Sequence, residues 1–129
     1  IMETGSDNRG SEPDSPWTPA GDDWKNFVST EIVSALTAAE LQSEDPIALG
    51  SRWSEALNLP LQQSGDTASL ALENATLRFT TIKDGRGEGL RALDIETKNR
   101  KELVRRAEIV GCDIDDDTIH INGIYFNLL

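Results

Sequence analysis

Leu72-Glu73-Asn74-Ala75-Thr76-Leu77-Arg78-Phe79 returns later in altered form as Ile119-His120-Ile121-Asn122-Gly123-Ile124-Tyr125-Phe126. In both stretches an apolar run stops at a polar pair, Glu73-Asn74 or Asn122-Gly123, and then resumes, which is the pattern of a β-hairpin. Asn-Gly is the stronger of the two signals, because both residues tolerate positive φ. Each hairpin is preceded by a strand and a helix. Before the first, Asp45 caps a helix with Pro46 at its first position, Leu49, Trp53, Ala56 and Leu57 recur at helical spacing, and Pro60 ends it. Before the second, Leu90 to Glu96 reads as a strand. Asn99 with Glu102 then forms a capping box, Leu103, Ala107 and Val110 make an apolar stripe, and Gly111 supplies a left-handed end.

A βαββ order written twice is a duplication. It also settles an ambiguity upstream. Residues 27–43 admit a helix starting at Thr30-Glu31, with Ile32, Leu36 and Ala39 on one stripe. They equally admit a strand over Leu36 to Gln42, with Thr37, Ala39 and Leu41 on one face and Ala38, Glu40 and Gln42 on the other. Propensity favours the helix, but the first copy of the repeat needs a strand, so the strand reading is adopted. Residues 62–67, 83–89 and 113–117 read as a polar loop, a mobile glycine loop and an acidic turn. The fold class is therefore α+β, with duplicated βαββ(β) modules.

Composition narrows the function classes. The chain has 129 residues, 37% hydrophobic and 27% charged, with 23 acids against 12 bases and a formal charge of −11. An acidic chain repels phosphate backbones, so nucleic acid is a poor partner. No apolar run approaches a membrane span and no signal peptide is legible, which points to a cytoplasmic protein. One cysteine, Cys112, and one histidine, His120, leave no room for a disulfide, a Cys-based zinc site or a multi-His centre. The chain opens on Ile1-Met2, which reads as a piece of something longer. Residues 1–26 are assigned to a linker from an upstream domain, with six acids against one base between Glu3 and Asp23. Trp17, set in Pro16-Trp17-Thr18-Pro19, either docks on the domain or met the upstream one. Residues 27–129 are the folded domain.

From Ile32 to Leu129 the order of elements resembles the vicinal oxygen chelate superfamily, the glyoxalase, bleomycin-resistance and extradiol-dioxygenase group. Glu40-Leu41-Gln42-Ser43-Glu44-Asp45-Pro46 through Leu57-Asn58-Leu59 looks like that family's first strand and helix. Gly89-Leu90-Arg91-Ala92-Leu93-Asp94-Ile95, with the helix after it, looks like its second repeat. The resemblance implies a curved mixed sheet with both helices on its convex face. It also implies a metal on the concave face, held by two His and two Glu or a close variant. The positions that would carry those ligands are occupied here by Ala38, Leu90, Phe79 or Thr81, and Asn127. No metal ligand, catalytic residue or cofactor is therefore assigned. The expected role is small-molecule binding or support within a larger protein, with an upstream glyoxalase-like domain or a second subunit as partner. The alternative is a share in a metal-dependent lyase or dioxygenase site completed by another domain or subunit.

Four residues are expected on the concave face as ligand contacts: Glu40, Gln42, Arg78 and Asp94. The competing reading pairs Glu40 and Asp94 with Arg78 and with Arg91, which could otherwise receive an anion. His120, beside the hairpin turn, is expected to be exposed. Cys112 follows a helix C-terminus, which disfavours a thiolate. Asp113, Asp115, Asp116 and Asp117 lack the glycine and terminal glutamate of a calcium loop and read as a solvated turn. Trp53 is expected in the core, against Thr37, Ala39 and Leu41.

Overall fold

A computed structural model describes residue 21 and residues 23–129. The expectations for the linker and for Trp17 fall mostly outside these residues. After a short 3-10 turn at Trp24–Phe27, the chain forms β1 (Val33–Ser43), α1 (Pro46–Leu57), β2 (Gln62–Ser64), β3 (Thr67–Ala71) and β4 (Thr76–Thr81). Then come β5 (Gly89–Thr97), α2 (Arg100–Ile109), β6 (Asp113–Asp115), β7 (Thr118–Ile121) and β8 (Ile124–Leu128). All eight strands lie in one sheet, ordered β2-β3-β4-β1-β5-β8-β7-β6. Within each module the first strand runs parallel to the last, β1 with β4 and β5 with β8. The modules join through the antiparallel pair β1–β5. The sheet is curved and mixed, with the helices on one side, as the resemblance implied.

Each module has one strand beyond its first strand and its hairpin. Residues 62–64 and 113–115, read as loop and turn, form the short edge strands β2 and β6. All three residues of β2 are exposed, so no apolar alternation announces them. β1 is longer than expected, beginning at Val33.

Both helices begin and end by backbone chemistry that the sequence states. The Asp45 carboxylate accepts the Ala48 N–H at 2.9 Å, and the Asn99 side-chain oxygen accepts that of Glu102 at 3.1 Å. Only half of the second capping box forms, because the Glu102 side chain turns to Arg105 and Arg106. Those two guanidiniums hold the Glu102 carboxyl down to about 2. At the far ends the same closure recurs. Leu59 N–H donates to Ser54 C=O around a left-handed Asn58 (φ 55°), and Cys112 N–H donates to Ala107 C=O around Gly111 (φ 77°). Asn122 and Gly123, at φ 48° and 86°, close the β7–β8 hairpin between the paired Ile121 and Ile124.

Two apolar clusters occupy the helix side of the sheet. Under α1, Leu49, Ala68, Leu70 and Phe79 are buried, with Leu41, Ile47 and Leu61 packed on them. Under α2 the buried set is Ile95, Ala107, Ile119 and Leu128. Gly50 brings α1 close: a side-chain carbon there would meet Leu61 Cδ1 at 3.0 Å and Phe79 Cδ2 at 3.1 Å.

The helix stripes are narrower than expected. Trp53, Ala56 and Leu57 are exposed, Trp53 at 37% and Leu57 at 42%, and Val110, just past the end of α2, is 74% exposed. α1 lies over β3 and β4 rather than centrally on β1, so its C-terminal half overhangs. The indole meets Phe79 at a tilted 6.5 Å between ring centres, at the rim of the cluster. Trp53→Ala is accordingly expected to cost only about 1–2 kcal/mol, since it opens a surface notch rather than a closed cavity. A thermal melt showing a loss above about 3 kcal/mol would place the indole in the core after all.

Candidate functional site

Strand registers place Glu40 opposite both Arg78 and Ala92, and Asp94 opposite both Ala38 and Asn127. These residues share the face turned away from the helices. The four central strands thus contribute Arg78, Glu40, Asp94 and Asn127 to the middle of the concave side, where they bond to one another. Arg78 donates to Asp94 through both terminal nitrogens, Nη1 to Oδ2 at 2.5 Å and Nη2 to Oδ1 at 2.9 Å, a bidentate pair. Its Nε lies 3.7 Å from Glu40 Oε2. Glu40 Oε1 also accepts from Arg91 Nη1 at 2.9 Å and Lys83 Nζ at 3.2 Å. Asn127 Nδ2 donates to Asp94 Oδ1 at 2.7 Å. The carboxylates are only 6% and 7% exposed. Hydrogen bonds from Arg78 hold the Asp94 carboxyl below its ordinary value, against the desolvation that pulls it up, and Asn127 adds to the lowering. The same pair raises Arg78.

Three of the four expected residues, Glu40, Arg78 and Asp94, therefore come together, in the mutual ion pairs that the competing reading described. Gln42 stands apart. Its amide donates to Asp84 Oδ1 at 2.6 Å and Gly87 C=O at 2.9 Å, and its oxygen accepts from Lys83 N–H at 3.1 Å. Gln42 thus pins the 83–88 loop, helped by a Ser43–Glu88 hydrogen bond of 2.5 Å. In that loop the Arg86 guanidinium and the Gln42 amide hold Asp84 well below the usual carboxylate range.

Arg91 reaches this face against strict alternation. Glu40 pairs with Ala92 but the next residue, Leu41, pairs with Leu90, so the ladder bulges at Arg91. Its guanidinium lies 4.7 Å from the Tyr125 ring centre, and Arg86 lies 5.6 Å from it. His120, expected in solvent, is half-buried and stacks on the same ring at 4.7 Å. No sequence pattern signals the bulge. The i, i+2 spacing of Tyr125 and Asn127 does place both on this face.

The ion-pair ridge divides the concave side into two clefts. One, of about 250 Å³, lies over β6, β7 and β8 with Arg91 at its inner end. The other, of about 300 Å³, lies over β2, β3 and β4 and is lined mainly by hydroxyls and carboxamides beside Arg78.

The residues present do not suit the metal that the fold implies. Glu40 and Asp94 are each held by guanidinium groups, and Arg78, Lys83 and Arg91 bring three positive charges to the place a divalent cation would occupy. Among the described residues no three His, Cys, Asp or Glu side chains converge as a ligand set. Of the positions singled out for ligands, Phe79 is in the core under α1 and Leu90 is paired with Leu41. Ala38 and Asn127 do lie on the concave side.

No family model and no curated protein matches the chain. Solved structures do. Methylmalonyl-CoA epimerase from Mycobacterium tuberculosis is 16% identical, with 78% of this chain and 90% of that chain covered and a TM-score of 0.55. A hypothetical protein from Bacillus halodurans C-125 is 15% identical over 73% and 91%, with a TM-score of 0.56. A xylose isomerase-like TIM barrel/4-hydroxyphenylpyruvate dioxygenase fusion protein is 13% identical, covering 89% of this chain but 22% of that one, with a TM-score of 0.57. In that fusion the shared fold is one unit of a longer polypeptide. The paired βαβββ modules, the single curved sheet and these neighbours together identify the architecture as the glyoxalase-like fold.

Proposed function

We propose that this domain is a metal-independent, small-molecule-binding module of a longer protein, in which a cross of ion pairs takes the place of a metal at the centre of the cup. The observation that carries the reading is the capture of Glu40 and Asp94, the central carboxylates of the concave side, by Arg78, Arg91 and Lys83. Such a centre neither polarises a substrate carbonyl as a Lewis acid nor leaves a carboxylate free to take a proton. It does fix the sheet's curvature and hold two clefts open on either side of it. The upstream glyoxalase-like domain or second subunit remains the proposed partner, and the cytoplasm the proposed location. The competing reading, a share in a metal-dependent lyase or dioxygenase site, requires Glu40 or Asp94 to exchange its cations for a metal.

Dialysis against zinc, nickel, manganese or ferrous iron, followed by elemental analysis, separates the two. Less than about a tenth of an equivalent per chain is expected. Near one equivalent, lost in Glu40→Gln, would overturn the proposal.

A further inference from the structure

The two clefts sit at corresponding places in the duplicated sheet, yet their chemistry differs, and the β6–β7–β8 cleft is polarised from end to end. Registers give the row Asp113, His120, Tyr125 across three strands, and beside it the row Asp115, Thr118, Asn127. Arg91 on β5 lies beyond Tyr125 and closes the inner end. Asp113 and Asp115 stand exposed on the edge strand and make no ion pair or hydrogen bond from their side chains among the described residues. At the other end Arg91 commits only Nη1, to Glu40. Its Nε is buried without a hydrogen-bond partner, 4.0 Å from the nearest Asp84 oxygen. Arg91 lines the cleft, and its Nη2, which makes no hydrogen bond among the described residues, can meet a ligand oxygen directly or through water. Between the charged ends lie the stacked rings of Tyr125 and His120, which offer an apolar wall.

We propose that this cleft binds a small zwitterion, an ω-amino carboxylate whose carboxylate meets Arg91 and whose ammonium meets Asp113 and Asp115; the inference rests on the reading of the cup as a small-molecule site. The separation of the charges follows from the sheet. Three strand spacings of about 4.8 Å lie between β6 and β5. A charged hydrogen bond at each end takes roughly 3 Å, which leaves on the order of 8 Å between the ligand's two charges, the length of an extended six-carbon amino acid. An α-amino acid is too short to reach both ends. At about 250 Å³ the cleft falls below the roughly 300–1,000 Å³ of drug-sized pockets, as a ligand this small requires.

The test titrates the protein with 6-aminohexanoate, hexanoate, hexylamine and glycine, following amide shifts by two-dimensional NMR. 6-Aminohexanoate is expected to shift the amides of Thr118, His120, Tyr125 and Asn127 and to bind at least tenfold more tightly than the other three. Asp113→Asn combined with Asp115→Asn changes only exposed side chains. It should weaken 6-aminohexanoate about tenfold and leave hexanoate unchanged, whereas Arg91→Gln should weaken both. Hexanoate binding as tightly as 6-aminohexanoate would overturn the zwitterion while sparing the small-molecule site. Silence of both clefts toward these four compounds and toward a broad fragment set would overturn the small-molecule reading itself.

Discussion

Phe79→Ala is expected to lower stability by about 3–5 kcal/mol, the range for emptying a closed aromatic site. Phe79 is fully buried on β4 and gathers Leu49, Ala68 and Leu70 beneath α1. Gly50 has no side chain with which to fill the space, and the nearby Trp53 is fixed to an overhanging helix end that cannot collapse inward without moving α1. A domain of about 100 residues loses roughly 4–8 °C per kcal/mol, so the melting temperature should fall by about 12–40 °C. Phe79→Leu, which retains most of the volume, should cost well under half as much. Calorimetry of the two variants checks the ranking. Equal losses would mean that ring shape, not the cavity, governs this cluster.

Asp94→Asn is the second large effect. The substitution keeps the size and the hydrogen bond with Asn127 is replaceable, but Arg78 loses its bidentate counter-charge. Stranding one member of a fully buried pair costs about 3–5 kcal/mol. The Arg78 side chain keeps 33% of its surface in water, which scales the expectation to roughly 2–3 kcal/mol. The pH dependence has a definite sign. Asp94 titrates lower folded than its ordinary value of 3.8, so the unfolded chain binds the proton first as pH falls. The stabilisation is fully present above about pH 4 and is lost as pH drops through the lowered folded value. Denaturant midpoints taken from pH 7 to pH 2 should therefore decline below pH 4 in the parent and decline less in Asp94→Asn. Parallel curves would mean that Asp94 contributes nothing to acid sensitivity.

The fold was legible because it is written twice. Neither strand from residue 36 to 42 nor helix could be chosen from local pattern alone, yet the second copy, with its unambiguous Asn99 cap and Asn122-Gly123 turn, decided the first. What stayed hidden has separate physical causes. β2 and β6 are three-residue edge strands held by backbone bonds, and their side chains record little of that pairing. Trp53 satisfies helical periodicity, but periodicity reports which side of a helix is apolar and not how far along the helix the sheet extends beneath it. At the site, alternation placed Glu40, Gln42, Arg78 and Asp94 on one face. Arg91 arrived there through a bulge that depends on the register between two modules, a tertiary fact that no window of sequence contains. His120 has a different cause: it is sheltered by Tyr125, its partner across the hairpin that Asn122-Gly123 closes.

The seam between β1 and β5 has a consequence of its own. It is the main junction between two modules of like topology, and one loop, residues 83–88, carries the chain across. A junction of this kind is equally well made by two molecules trading halves, each donating its second module to the other's first, with every strand pair preserved. What opposes the trade is the tether. Gln42 and Ser43, both on β1, hold the crossing loop by four hydrogen bonds to Lys83, Asp84, Gly87 and Glu88, and keep it folded back on its own molecule. Gln42, buried to 1% exposure, thus acts as a clasp on chain connectivity. It raises the local concentration of the correct second module and makes exchange at high protein concentration a matter of how firmly one amide holds one loop.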